Sequence, residues 1–61
     1  MDGYLVCFIR KDKRPTEEYY YAALSDAEYH FSLFREDDSG LYQRIDLLSS
    51  DDGKIIDSII F

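Results

Sequence analysis

Short runs of apolar and aromatic residues, separated by polar turns, predict four β-strands. Residues 4–10 combine β-branched and aromatic types in a run too short for a buried helix. Residues 17–24 include three adjacent tyrosines, which favour a strand. Residues 41–48 alternate apolar and polar positions, and residues 54–61 contain four isoleucines and a phenylalanine. The dipeptide Asp52-Gly53 between these last two runs predicts a hairpin turn.

Residues 25–36 predict the only helix. Ser25 and Glu28 have the spacing of a capping box, in which each side chain accepts a hydrogen bond from a backbone amide of the first turn. Gly40 is expected to end the helical segment. Apolar side chains and one histidine cover an arc of roughly 200° around the helix: Ala27, Tyr29, His30, Phe31, Leu33 and Phe34. This arc is wider than one sheet face covers, so part of it is expected to contact something else.

The order of these segments predicts an α+β fold of two layers, β-β-α-β-β, with one helix packed on a four-stranded sheet. Residues 1–61 are interpreted as a single small domain, because the chain is too short for two. The strands at 4–10 and 54–61 have apolar residues on both faces, which is typical of central strands. We therefore expect them to be neighbours, in the strand order 2-1-4-3.

The apolar residues exceed what one helix can cover and therefore predict an interface. Six residues on the strands at 4–10 and 54–61 are the candidates: Leu5, Cys7, Ile9, Ile55, Ile59 and Phe61. A chain of 61 residues is close to the lower limit for a self-sufficient core. Its one cysteine cannot form an internal disulfide, so self-association is the remaining common source of stability. The sequence predicts a homodimer, through the uncovered sheet face or by pairing of C-terminal strands.

Composition narrows the classes of partner and compartment. Thirteen acidic and seven basic residues give a net charge of −6, which disfavours a general binder of nucleic acids or anionic membranes. The apolar runs are far shorter than the ~20 residues of a membrane span, and no secretory signal is recognisable. A single unpaired cysteine in an apolar run is compatible with a reducing compartment, so a cytoplasmic location is expected.

A basic loop after the first strand contrasts with this acidic composition. We define it as Arg10, Lys11, Lys13 and Arg14. It has three interpretations: a solvated loop that protects a sheet edge, a contact to an acidic protein surface, or a contact to phosphates with tyrosines stacking beside it. The candidate partner-binding residues are Arg10, Lys11, Lys13, Arg14, Tyr19 and Tyr21.

Catalytic and metal-binding patterns are lacking. His30 lies in the apolar arc of the helix, where a packed or interface role is favoured over acid–base chemistry. Cys7 lies among apolar residues, a setting that disfavours the reactive thiolate. The acidic turns at 36–38 and 51–52 do not have the ligand pattern of a calcium loop. The sequence therefore predicts no enzyme, no cofactor and no metal.

The leading functional hypothesis is a small non-catalytic protein-interaction module that acts as a homodimer, with a bacterial or mobile-element origin. Two alternatives remain open. The first is an accessory protein that contacts nucleic acid through the basic loop. The second is an acidic inhibitor whose carboxylates imitate a nucleic-acid backbone and block a nucleic-acid-binding protein.

Overall fold

The computed structural model describes residues 3–61, in which one helix packs on one face of a four-stranded antiparallel sheet. The elements are β1 (Tyr4–Arg10), β2 (Glu17–Tyr21), α1 (Leu24–Ser32), β3 (Tyr42–Ser49) and β4 (Ile55–Ile60). The predicted two-layer α+β fold is confirmed. The β1 bounds agree with the prediction, because a short run of β-branched and aromatic residues between polar segments leaves little choice of element.

The predicted strand order 2-1-4-3 is wrong, because the sheet has the order β2-β1-β3-β4. β3 pairs with β1 along its whole length, from Tyr4 beside Ser49 to Arg10 beside Tyr42. β4 lies at the edge, although it is rich in isoleucine. The polar residues of β3 do not exclude it from the centre, because Asp46 is satisfied there by hydrogen bonds within the sheet.

The core lies between the helix and one face of the sheet. The helix crosses from β2 to β3 over the intervening β1, which places it above the middle of the sheet. Its two buried residues, Ala27 and Phe31, meet apolar side chains of β1, β3 and β4. The buried core consists of Val6, Phe8, Ala27, Phe31, Ile45, Leu47 and Ile59. β1 and β3 thus each contribute two alternate residues that point toward the helix, and β4 contributes one.

The helix begins one residue earlier than predicted, so the capping box does not form. Ala23 is the N-cap residue, and no side chain caps the first turn. Ser25 and Glu28 therefore lie inside the helix, whereas Asp26 in the first turn interacts favourably with the helix dipole. The helix ends at Ser32, and tighter turns continue it through residues 33–36. Gly40 has a left-handed φ of +75° but lies beyond these turns, in the approach to β3.

Two predicted interface residues, Ile59 and Phe61, do not lie on the uncovered face. Ile59 pairs with Ile45 and belongs to the core. The register of β4 shifts beside Leu47 and Leu48, so Ile55 rather than Ile56 lies opposite Leu48. This bulge reverses the alternation of side chains, and Ile55 and Ile59 consequently lie on opposite faces. The Phe61 ring lies 6.5 Å from the ring of Tyr42, on the helix side.

The two neighbouring isoleucines of β4 provide a test of this face assignment. We expect Ile59→Ala to lower the free energy of unfolding by about 2–5 kcal/mol, because a cavity replaces a buried side chain. Ile60 is 76% exposed, so Ile60→Ala should change that free energy by at most about 0.5 kcal/mol. Urea unfolding at low protein concentration measures both values. Equal losses for the two variants would contradict the assigned register.

Candidate functional site

The face of the sheet away from the helix, which we call the rear face, is not covered by any element within residues 3–61. Its side chains form three rows that run across the strands. An apolar row contains Tyr20, Leu5, Leu48 and Ile55. A central row contains Glu18, Cys7, Asp46 and Ser58, and a mixed row contains Ile9, Arg44 and Ile60. The structure therefore places four of the six predicted interface residues on this face: Leu5, Cys7, Ile9 and Ile55.

A hydrogen-bonded polar cluster lies in the middle of the rear face. Arg44 Nε donates to Asp46 Oδ1 at 2.9 Å, and the Ser58 hydroxyl donates to the same oxygen at 2.7 Å. These contacts leave Asp46 only 8% exposed, although no layer covers it. The carboxylate keeps its charge partner and its hydrogen bonds, so a second molecule could cover this cluster without leaving a charge unpaired. The sequence pattern did not reveal this cluster, because Arg44 and Asp46 look like ordinary solvent-facing positions of an alternating strand.

Cys7 lies beside the polar cluster, in a setting that disfavours the thiolate form of its side chain. Burial raises the pKa of the Cys7 thiol, and the nearby carboxylates of Glu18 and Asp46 raise it further. A raised pKa lowers the fraction of thiolate at neutral pH, and the thiolate is the nucleophilic form. This environment suits a packing role rather than nucleophilic chemistry.

The basic loop is less positively charged at its surface than its sequence indicates. Both Nε and the terminal nitrogen of Arg10 hydrogen-bond to Asp12, and Arg14 Nε lies 3.3 Å from the same carboxylate. The Arg10 guanidinium also lies over the ring of Tyr42, 5.9 Å from its centroid. Lys11 lines a cleft of about 280 Å³ that the acidic residues Asp37 and Asp38 also line. These contacts reduce the charge available for a phosphate backbone.

The two candidate tyrosines lie on the helix side of the sheet rather than beside the basic loop. Tyr19 makes an edge contact with Phe8 at a centroid distance of 5.6 Å. The Tyr21 hydroxyl shares a hydrogen bond with His30 Nδ1. Both tyrosines also contact the His30 ring, which packs against Phe8 as well. The structure therefore separates the tyrosines from the loop residues with which they were grouped, and it places His30 in an aromatic cluster.

A groove beside these aromatic residues was not predicted from the sequence. It lies between β2 and the outer side of the helix, has a volume of about 420 Å³, and is lined by Tyr21, Asp26, Tyr29, His30 and Leu33. Tyr29 and Leu33 are 71% and 61% exposed. The excessive width of the apolar arc of the helix was the only sequence signal for this groove. We call it the β2 groove.

The described residues have neither a metal-binding cluster nor a membrane-spanning helix. Within residues 3–61, no group of three His, Cys, Asp or Glu side chains could hold a metal ion. The nine-residue α1 is too short to cross a bilayer, and no other helix is present in that part of the chain.

The Asp12 carboxylate provides a pH-dependent test of the folded basic loop. The hydrogen bond from Arg10 lowers the pKa of Asp12 from 3.8 to about 2. Because the folded-state pKa is depressed, the stabilisation is present above pH 3.8 and is lost as the pH falls through about 2. NMR titration of the Asp12 carboxyl carbon should give a midpoint near 2, and Arg10→Gln should raise that midpoint toward 3.8. Lys13→Gln is the matched control, and an equal shift in both variants would exclude the specific pair.

Comparison of the chain with protein-family models, with curated proteins and with solved structures gives no match. No residue acquires a role from a relative. The roles assigned below follow from the contacts, exposure and charges of the residues themselves.

Proposed function

We propose that this protein is a non-catalytic interaction module that self-associates as a homodimer through the rear face of its sheet. One observation carries the proposal: an uninterrupted apolar row crosses all four strands on a face that the helix does not cover. In this row Tyr20 and Ile55 are 51% and 55% exposed, and the half-buried Leu5 and Leu48 lie between them. Exposed apolar surface of this kind marks interfaces.

The size of the rear face is compatible with a dimer. The two longer dimensions of the molecule, 33 and 21 Å, set an upper limit of about 690 Å² on the outline of such a face. A standard protein interface buries roughly 800 Å² per partner. A chain this small has few other surfaces of that size, because its total accessible area is 4253 Å².

The arrangement of the rows suits a two-fold symmetric contact. A two-fold axis parallel to the strands would place the apolar row of one copy against the same row of the other. Leu5 would then lie over the partner's Leu48, since the order of the strands is reversed across the axis. The polar clusters of the two copies would be enclosed together, each with its internal ion pair intact.

The absence of catalysis is also part of this proposal. The raised pKa of the Cys7 thiol and the aromatic packing of His30 support it.

A cytoplasmic location and a bacterial or mobile-element origin remain predictions from composition. Contact with nucleic acid is the weaker alternative, since Asp12 pairs with both Arg10 and Arg14. The acidic-inhibitor alternative also remains a prediction.

Sedimentation equilibrium of an Ile60 variant tests the proposed dimer. A protein concentration of about 100 µM exceeds the micromolar dissociation constants of weak interfaces. At this concentration the apparent mass should be twice the 7.2 kDa of one chain. Ile60→Lys should weaken this association at least tenfold, because it adds a second cation beside Arg44 on the rear face. Ile56→Lys is the matched control: Ile56 belongs to the same strand and is also exposed, but it lies with Phe31 and Arg35 on the helix side.

Cys7 supplies an independent readout of the same contact. Maleimide labelling of its thiol should slow as the protein concentration rises, and Ile60→Lys should remove this dependence. Circular dichroism establishes that each variant is folded. A folded wild-type chain that stays monomeric at about 100 µM, or an Ile56→Lys variant that dissociates as readily as Ile60→Lys, would contradict the proposal.

A further inference from the structure

The β2 groove lies beside an edge strand that has a neighbouring strand on one side only. β2 pairs with β1 in an unbroken antiparallel register and is the first strand of the sheet. Its sequence, Glu-Glu-Tyr-Tyr-Tyr, lacks the lysine, proline and bulge that commonly protect an edge against pairing. An edge strand beside a helix is the arrangement that binds an extended peptide by strand addition.

An apolar ridge forms the wall of the groove opposite β2. Tyr29 and Leu33 are four residues apart, so their side chains are neighbours on the surface of the helical segment. Both are more than half exposed, whereas Phe31 between them is fully buried. The ridge therefore faces the space that a strand added to β2 would occupy, and it offers that strand an apolar contact.

At the opposite edge of the sheet, the corresponding cleft is smaller and is bridged by an ion pair. The cleft between the helix and β4 has a volume of about 300 Å³. The ion pair between Arg35 and Asp57 bridges it at 2.8 Å, and the hydrogen bond from Arg35 lowers the pKa of Asp57. Because an internal ion pair already joins the turns after the helix to that edge, a peptide fits better on the β2 side.

The charges around the β2 groove identify the chemistry of its occupant. Asp26 lies in the groove, Glu17 and Glu18 lie on β2, and no basic residue other than the His30 imidazole lines the groove. The four arginines of the chain all pair with aspartates. Because the arginines are already paired, the net charge of −6 resides on exposed carboxylates. This charge favours a basic partner and disfavours a second copy of the chain at this edge.

We propose that the β2 groove binds an extended basic segment of a partner protein, which joins the sheet as a strand next to β2. Successive side chains of a strand point to opposite faces. Apolar side chains of the segment would contact Tyr29 and Leu33, and the intervening lysines or arginines would lie beside Glu18. The apolar part of this contact does not depend on the dimer, because Tyr29 and Leu33 lie on the helix side, whereas Glu18 lies at the β2 edge of the rear face.

Fluorescence anisotropy with a labelled peptide of alternating lysine and valine tests this site. The peptide should be long enough to cover the five residues of β2. Leu33→Lys should weaken its binding by at least about tenfold, because it removes an apolar contact and adds a like charge. Leu41→Lys is the matched control, since Leu41 is also exposed and the charge change is the same, but it lies outside the groove. Glu18→Gln, which removes the charge beside the intervening lysines, should also weaken binding more than Asp38→Asn.

Two further peptides separate the proposed strand pairing from simple charge attraction. A lysine-glycine peptide of equal charge should bind at least about tenfold more weakly, because it lacks the apolar contacts. Methylating the backbone nitrogens at alternate positions should abolish binding for only one of the two possible sets, since only one set faces β2. Equal binding of the lysine-valine and lysine-glycine peptides, or equal losses for Leu33→Lys and Leu41→Lys, would overturn the proposal. Binding that survives in an Ile60→Lys variant shown to be monomeric by sedimentation equilibrium would show that this site is independent of the dimer.

Discussion

A helix of nine residues can cover only one face of a four-stranded sheet, and the rest of the structure depends on this constraint. Phe31 and Ala27 of the helix pack on β1, β3 and β4 to make the only core cluster of the described residues. The rear face receives no such cover. It is stabilised instead by an apolar row beside a polar cluster, in which Arg44 and Ser58 satisfy the buried Asp46. A polar residue in a central strand is tolerated when its hydrogen bonds are complete.

The charged side chains are also divided, between arginine–aspartate pairs and the other carboxylates at the surface. Every arginine pairs with an aspartate: Arg35 joins the turns after the helix to β4, and Arg10 pairs within the loop after β1. The excess carboxylates remain at the surface, and several of them surround the edge of β2. Residues 3–61 thus present two different surfaces, an apolar row with an internal ion pair beside it and an acidic groove with an apolar wall. We propose different partners for them, a second copy for the first and a basic segment for the second.

Hydrophobic patterning was sufficient to predict the elements and the two-layer fold, but not their arrangement. The run at 4–10 was assigned with correct bounds because its β-branched and aromatic residues have a clear preference. The predicted strand order is wrong because apolar residues on both faces were taken to indicate a central strand. β4 has such residues but lies at an edge, whereas β3 carries charged residues and lies in the centre. The bulge beside Leu48, which separates the faces of Ile55 and Ile59, has no signature in the sequence. The β2 groove could be anticipated only as an apolar arc too wide for one sheet face.

Intermolecular NOEs measured between isotope-labelled and unlabelled copies test the central claim, that a second copy covers the rear face. In a mixed sample, methyl groups of Leu5, Leu48 and Ile55 in one copy should show contacts to the rear face of the other. Methyl groups of core residues such as Val6 and Leu47 should show none. Contacts confined to helix-side residues, or a dimer by mass without any contact from the apolar row, would contradict the account.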